Sequence, residues 1–308
     1  MLQKNLSWIL LFFLAGIWGS SFILMKKSMF TANGEAIFSD PQVGALRMVL
    51  AGGVLLPIAL RTMGKITDWK VFLRLAIVGL CGNFIPAFLF TFAETGISSG
   101  FAGMLNSCTP LFALLIGFLV FKERLTKIQL LGTAIGTTGV VLLVIAGKNF
   151  SLTGEWVHIF AIIFATLCYG ISLNTIRHTL THLKSYEIAS LAFLIILGPS
   201  ILIAWQQGAV ETIANNPHAS EGLIYLSILS IIGTALALIL FNRLVALSSV
   251  LFASSVTYLI PIVAVVIGLS FGERINGYQI GAMFVVISGI FTANVIGKRK
   301  ATSQLAQK

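Results

Sequence analysis

Two polar runs precede prolines inside otherwise apolar sequence. Asn106, Ser107 and Thr109 lead into Pro110; Ser254, Ser255, Thr257 and Tyr258 lead into Pro261. Within a helix, proline frees the carbonyl four residues back, which here falls on Asn106 and Thr257. Open carbonyls, amides and hydroxyls at one depth can bind a polar solute. The structural alternative is a plain kink, with hydroxyls bonded to their own backbone. Trp18, Ser21, Phe22 and Met25 follow helical i, i+3, i+4, i+7 spacing. One face would then offer an indole for stacking and a hydroxyl for hydrogen bonding. With Gly16, Gly19 and Ser20, the same run also reads as close helix packing. Asn83 and Tyr169 sit deep in apolar runs, where an unsatisfied polar group is costly. Arg47 lies within another such run. It could attract a carboxylate, or snorkel to the surface or pair with a helix-end carbonyl.

Other chemistry is thinly supplied. His178 and His182 are four apart, but no glutamate follows the first and no third ligand is near. This pattern predicts no metal site and no cofactor. Cys81, Cys108 and Cys168 all fall in apolar runs and read as reduced packing residues. There is no phosphate-binding glycine loop of the ATPase type. An integral membrane enzyme acting on lipids would need a cluster of acids and bases; only His178 and His182, with Glu187, approach one. No span centre holds Asp or Glu, which argues against a proton relay. Glu94, at one helix end, could serve proton coupling or an outer gate, and a solvated role is the plainer reading.

These residues need helices to hold them. Of 308 residues, 57% are hydrophobic and 10% charged, against roughly 25% charged in a soluble domain. That excludes a soluble enzyme, a disordered tail and a disulfide scaffold. Apolar windows fall at 6–25, 42–60, 71–92, 97–121, 128–146, 156–177, 186–205, 221–241, 248–271 and 278–296. Each is long enough to cross a bilayer core, which takes about 20 residues. The longer loops, 26–41 and 206–220, carry Pro41, Asn215, Asn216 and Pro217 and read as turns. The first window is too long for a signal-peptide core and reads as a retained helix.

The net charge is +10. With a cytoplasmic N-terminus, the loops facing outward hold only Lys26, Lys27, Lys148 and Arg274, while fifteen other basic residues face inward. Both termini are therefore expected in the cytoplasm, with Lys298, Arg299 and Lys300 meeting anionic headgroups and no nucleic acid implied.

The chain also repeats itself. Phe121-Lys122-Glu123-Arg124-Leu125 is echoed by Phe271-Gly272-Glu273-Arg274-Ile275, and Gln129-Leu130 by Gln279-Ile280, at an offset of 150. Trp18-Gly19-Ser20-Ser21 pairs with Tyr169-Gly170-Ile171-Ser172, and Pro110 with Pro261, at 151. Five helices per half make the second half enter the membrane inverted, the plan of secondary transporters. The expected fold is all-α and polytopic, with ten transmembrane helices as two five-helix inverted repeats: 6–146, then 156–297, with a basic tail at 298–308. A channel would show rings of charge or carbonyls instead.

On Trp18-Gly19-Ser20-Ser21-Phe22, Arg47, Pro110, Glu123-Arg124-Leu125-Thr126 and Gln129-Leu130-Leu131-Gly132, with Pro261, Glu273-Arg274 and Gln279-Ile280-Gly281 in the second half, the chain resembles the EamA type of the drug/metabolite transporter superfamily. The resemblance covers roughly residues 6–297. It implies ten helices around a central cavity in a bacterial inner membrane, and export or exchange of small metabolites, most often amino acids, by alternating access. The partners expected are a small-molecule substrate and the lipid bilayer; nothing here sets the oligomeric state. Candidate substrate-binding residues are Trp18, Ser21, Phe22, Asn83, Asn106, Thr109, Tyr169, Thr257 and Tyr258. Glu94, Glu123, Arg124, Glu273 and Arg274 are candidates for gates or helix ends, and Pro110 and Pro261 for hinges. No catalytic residue is expected. A membrane enzyme or a non-transporting scaffold is the alternative.

Overall fold

A computed structural model describes residues 2–123, 126–146, 155–248, 250–254, 256–272 and 275–292. The apolar windows become helices: α1 (Leu2–Met29), α2 (Asp40–Thr62), α3 (Trp69–Gly96), α4 (Ser99–Leu119), α5 (Lys127–Ala146), α6 (Glu155–Thr179), α7 (Ser185–Gln206), α8 (Ala219–Leu247), α9 (Val250–Ser254 and Val256–Ser270) and α10 (Gly277–Phe291). Eight helices among the described residues are long and apolar enough to cross a membrane. The other two apolar helices, α5 and α10, pack along each other. Phe12, Trp69, Trp205, Tyr278 and Phe284 lie on the outer surface, each more than half exposed. So large an apolar exterior suits hydrocarbon rather than water.

The helices pair across the two repeats. α1 packs on α9 as α6 packs on α4; α2 pairs with α7, and α5 with α10. At the α5–α10 seam, a Cβ on Gly139 would fall on the backbone of Val286, and one on Gly289 on the backbone of Gly136. The two contacts mirror each other at the offset of 150 seen in sequence.

Three local features depart from the sequence reading. First, α4 is not one continuous helix through Pro110. Helical residues Ser99–Asn106 end in a turn at Ser107 and Cys108, and a new helix starts at Thr109 with Pro110 in its first turn. A proline there loses no helical hydrogen bond, because the first amides of a helix have no partner within it. Pro261, by contrast, stays inside the helix Val256–Ser270.

Second, the 206–220 segment is not only a turn. It holds a short helix, Ala209–Asn215, entered through Gly208 at a φ of 68°. Asn216 Nδ2 donates to the carbonyls of Ala36 and Ile37, both at 3.1 Å, and so ties this segment to the 26–41 loop.

Third, α3 and α8 each widen into a π turn, at Leu80–Phe84 and Ile231–Leu236. The two turns begin 151 residues apart. In α3 the amide of Ile85 reaches back five residues to the carbonyl of Leu80. Side chains follow the same register: Asn83 Nδ2 donates to Val78 O at 3.5 Å, and Thr234 Oγ1 to Leu229 O at 3.0 Å. Such turns interrupt helices most often at functional sites. Periodicity does not reveal them, because the apolar run continues through the insertion.

Candidate functional site

Both π turns face one cavity between the repeats. Its wall is built twice. Trp18 answers Tyr169, Ser21 answers Ser172, Phe22 answers Leu173, and Met25 answers Ile176, all at a spacing of 151. The same spacing pairs Gly82 with Gly233, Asn83 with Thr234, Phe90 with Phe241, Asn106 with Thr257, and Thr109 with Ile260. Among the described residues only Arg47, Met48 and Leu238 line it without a lining partner in the other half.

Contacts repeat along with positions. Trp18 meets Phe241 edge-on with ring centroids 5.0 Å apart, and Tyr169 stacks on Phe90 at 6.0 Å. Ser21 lies against Gly233, and Ser172 against Gly82. The chemistry differs between the copies. The Trp18 indole N–H donates to the carbonyl of Gly233 at 3.1 Å, bridging α1 to the π turn of α8. The Tyr169 hydroxyl has no hydrogen-bond partner among the described residues and borders the cavity.

Of the residues nominated from sequence, Trp18, Ser21, Phe22, Asn83, Asn106, Thr109, Tyr169 and Thr257 come together on this wall. The side chain of Tyr258 lies outside the described residues. The Asn106 carbonyl, four residues before Pro110, is not left open: the Thr109 hydroxyl donates to it at 2.9 Å. Ser20 and Ser21 both donate to Ile17 O at 2.9 Å, so their hydroxyls are bonded within their own helix. Ser172 and Thr234 also line the cavity and were not nominated. The signal was available, since the spacing of 151 leads from Ser21 to Ser172 and from Asn83 to Thr234. Arg47 does not snorkel outward; its guanidinium borders the cavity, and Nε donates to Thr234 Oγ1 at 2.8 Å.

The helix-end residues lie apart from this wall. Glu94 is 3% exposed, not solvated, and its Oε2 accepts from the Ser99 hydroxyl at 3.5 Å. Burial of this kind follows from the tight turn between α3 and α4, which folds Ser99 back onto the carboxylate. Glu123 Oε1 bonds His178 Nε2 at 3.0 Å, and the His178 ring stacks on Phe121 at 4.5 Å. The residue 151 before His178 is Lys27, and its ammonium lies over Phe271, the counterpart of Phe121, at 4.3 Å. Arg124, Glu273 and Arg274 lie outside the described residues. Among the described residues no group of three His, Cys, Asp or Glu is placed to hold a metal ion.

The chain is similar to known proteins in sequence and in fold. It is 24% identical to a "probable terminal-alkyne amino-acid exporter" of Streptantibioticus cattleyicolor, over 74% of this chain and 76% of that one. It is 26% identical to the uncharacterized inner membrane transporter YedA of Escherichia coli K12, over 91% of this chain and 88% of the relative. An uncharacterized transporter of Archaeoglobus fulgidus matches at 27% identity over less than half of each protein, 44% of this chain and 46% of that one. A solved crystal structure superposes on 95% of this chain and 98% of its own, with a TM-score of 0.65 at 17% identity, a likeness of fold. The EamA-like transporter family matches twice, at residues 6–145 and 156–295. With nearly the whole chain covered by two copies of that domain, this multi-pass membrane protein belongs to the EamA-like transporter family.

Proposed function

We propose that the protein is a secondary carrier that exports or exchanges small metabolites, amino acids or close relatives of them, across the bacterial inner membrane by alternating access. The observation that carries this is the cavity wall assembled from matched positions of both repeats. Two near-equivalent halves around one site can exchange their conformations, so that the site opens to one side and then the other. The π turns of α3 and α8 are the points where such exchange would bend the helices, since each already departs from regular hydrogen bonding. His178 with Glu123 and Lys27 with Phe271 would then mark the two ends of the pathway. Loop charge supports both termini in the cytoplasm. The choice of amino acids draws on the exporter from Streptantibioticus cattleyicolor and on the size and mixed polarity of the wall. In this reading the protein performs no chemistry on its cargo.

The test is uptake into proteoliposomes of labelled amino acids, nucleosides and organic cations, with and without an imposed pH gradient. A facilitator or exchanger takes up at least one amino acid without the gradient. Uptake that demands the gradient would instead assign Glu94 a coupling role. Failure of folded protein to move any compound would sink the carrier reading and turn attention to the enzyme and scaffold alternatives.

A further inference from the structure

The symmetry of the cavity is broken at one charged residue. Among the described cavity-lining residues Arg47 is the only charged side chain, and the position 151 further on is Gly198. One hydrogen bond holds the guanidinium, from Nε to Thr234 Oγ1 at 2.8 Å. Thr234 is itself oriented to accept it, because its own proton goes to Leu229 O at 3.0 Å. Arginine carries five N–H donors in a planar fork. The four on Nη1 and Nη2 have no hydrogen-bond partner among the described residues. Glu94 and Tyr169 are its electrostatic neighbours. Glu94 does not line the cavity, and the described lining residues include no carboxylate. The lining groups nearest in character are amides and hydroxyls: Asn83, Asn106, Ser21, Ser172 and Tyr169.

We infer that Arg47 is the anchor for a carboxylate on the transported molecule, received by the terminal nitrogens of a guanidinium that Thr234 holds in place. The inference rests on the carrier reading above and names the cargo class more closely: small monocarboxylates, with or without an amino group. A carboxylate matches the fork with two parallel hydrogen bonds. A phosphate dianion would bring a second negative charge to a wall that offers one cation. Because Gly198 stands where a second arginine would be, the carboxylate is held on the α2–α8 side, and the rest of the molecule lies toward the aromatic groups. A charged group kept inside a membrane protein is by default a pointer to function, and here the residue borders a space that a solute can enter.

The experiment compares phenylalanine with 3-phenylpropanoate, which lacks the amine, and 2-phenylethylamine, which lacks the carboxylate. Binding to the purified full-length protein is measured by calorimetry at neutral pH, with ligand-free melting as the check on folding. Wild type should bind both carboxylates and bind the amine about ten-fold more weakly, the scale of a charge-assisted hydrogen bond. Arg47→Gln should weaken both carboxylates about ten-fold and leave the amine unchanged. Arg47→Lys keeps the charge but not the fork and should fall between them; it carries the test if the glutamine variant does not fold.

Equal affinity of wild type for the amine and the acids overturns the anchor while leaving a carrier in place. So does a folded Arg47→Gln or Arg47→Lys variant that binds the carboxylates as wild type does. Binding of none of the three by wild type overturns the amino-acid-sized site itself, and the anchor with it.

Discussion

The seam between α5 and α10 and the wall of the cavity are both built from two copies of one pattern, yet they have diverged differently. At the seam the copies agree in kind: Gly139 and Gly289 each press against the opposite backbone. On the wall Ser21 and Ser172, Gly82 and Gly233, and Phe90 and Phe241 keep their kind, and the other matched positions do not. Tryptophan faces tyrosine, asparagine faces threonine, and arginine has only glycine as its counterpart. Backbone contact leaves no room for variation, because any Cβ must displace main chain. A wall that borders empty space accepts any side chain that fits, so the two halves are free to present different groups to a solute. The glycine pair therefore marks where the halves hold together, and the matched wall positions that differ mark where they can address an asymmetric molecule.

The largest expected effect tests the seam. Gly139→Val and Gly289→Val should each cost about 3 kcal/mol, at the upper end for overpacking, or prevent folding. The two should cost alike if the seam is symmetric. Gly53→Ala is the control, since a Cβ there meets nothing within 4 Å. Melting of the detergent-solubilised protein reads all three. A mild Gly289→Val beside a severe Gly139→Val would break the equivalence of the two copies.

Next in size is Trp18→Phe. Phenylalanine keeps an aromatic ring beside Phe241 but removes the N–H that donates to Gly233 O. About 1 to 2 kcal/mol of stability should be lost, for one hydrogen bond and an acceptor left without it. Unchanged melting would show that the bridge from α1 to the π turn of α8 contributes nothing.

A smaller difference between the halves lies at the start of α3 and α8. Asp68 caps α3, its Oδ1 accepting from the amides of Val71 at 2.9 Å and Lys70 at 2.7 Å. The corresponding end of α8 begins at His218 without a side-chain cap. The hydrogen bond from Val71, with that from Lys70, holds the Asp68 carboxyl below its usual range. A carboxyl lowered in the folded state stabilises above its unfolded value, about 3.9, and that contribution is lost as pH falls through the lowered folded value. Asp68→Ala should melt slightly below wild type at neutral pH, and the gap should close toward pH 3. A gap that persists in acid would mean that charge and capping are not its source.

The sequence exposed the helices more fully than the site. Spans follow from apolar length, and the repeat from matched residues such as Pro110 and Pro261. The π turns were hidden, since an insertion of one residue into an apolar run changes hydrogen-bond register without changing composition. The break at Ser107 and Cys108 was hidden for a related reason: Pro110 is equally compatible with a kink inside a helix and with the first turn of a new one. Arg47 was ambiguous because a cation on a single helix has no known neighbour, and only the approach of Thr234 from α8, 187 residues away in sequence, fixes its direction. Ser172 and Thr234 were within reach, since the repeat spacing that pairs Ser21 with Ser172 also leads from Asn83 to Thr234.

The smallest expected effect on stability is the most informative about the two walls. Trp18 and Tyr169 occupy equivalent positions and each meets an aromatic partner, Phe241 or Phe90. The indole N–H is already bonded to protein, whereas the phenol borders the cavity without a partner among the described residues. Tyr169→Phe should therefore leave melting unchanged while lowering cargo affinity by up to about ten-fold, the span of one hydrogen bond. Trp18→Phe should do the reverse, lowering melting with less effect on affinity per unit of stability lost. If Tyr169→Phe destabilises the protein and Trp18→Phe does not, then the assignment of one wall to holding the fold and the other to meeting the solute is inverted. If both act alike on both readouts, the halves are equivalent in chemistry as well as in position, and only Arg47 is left to orient the cargo.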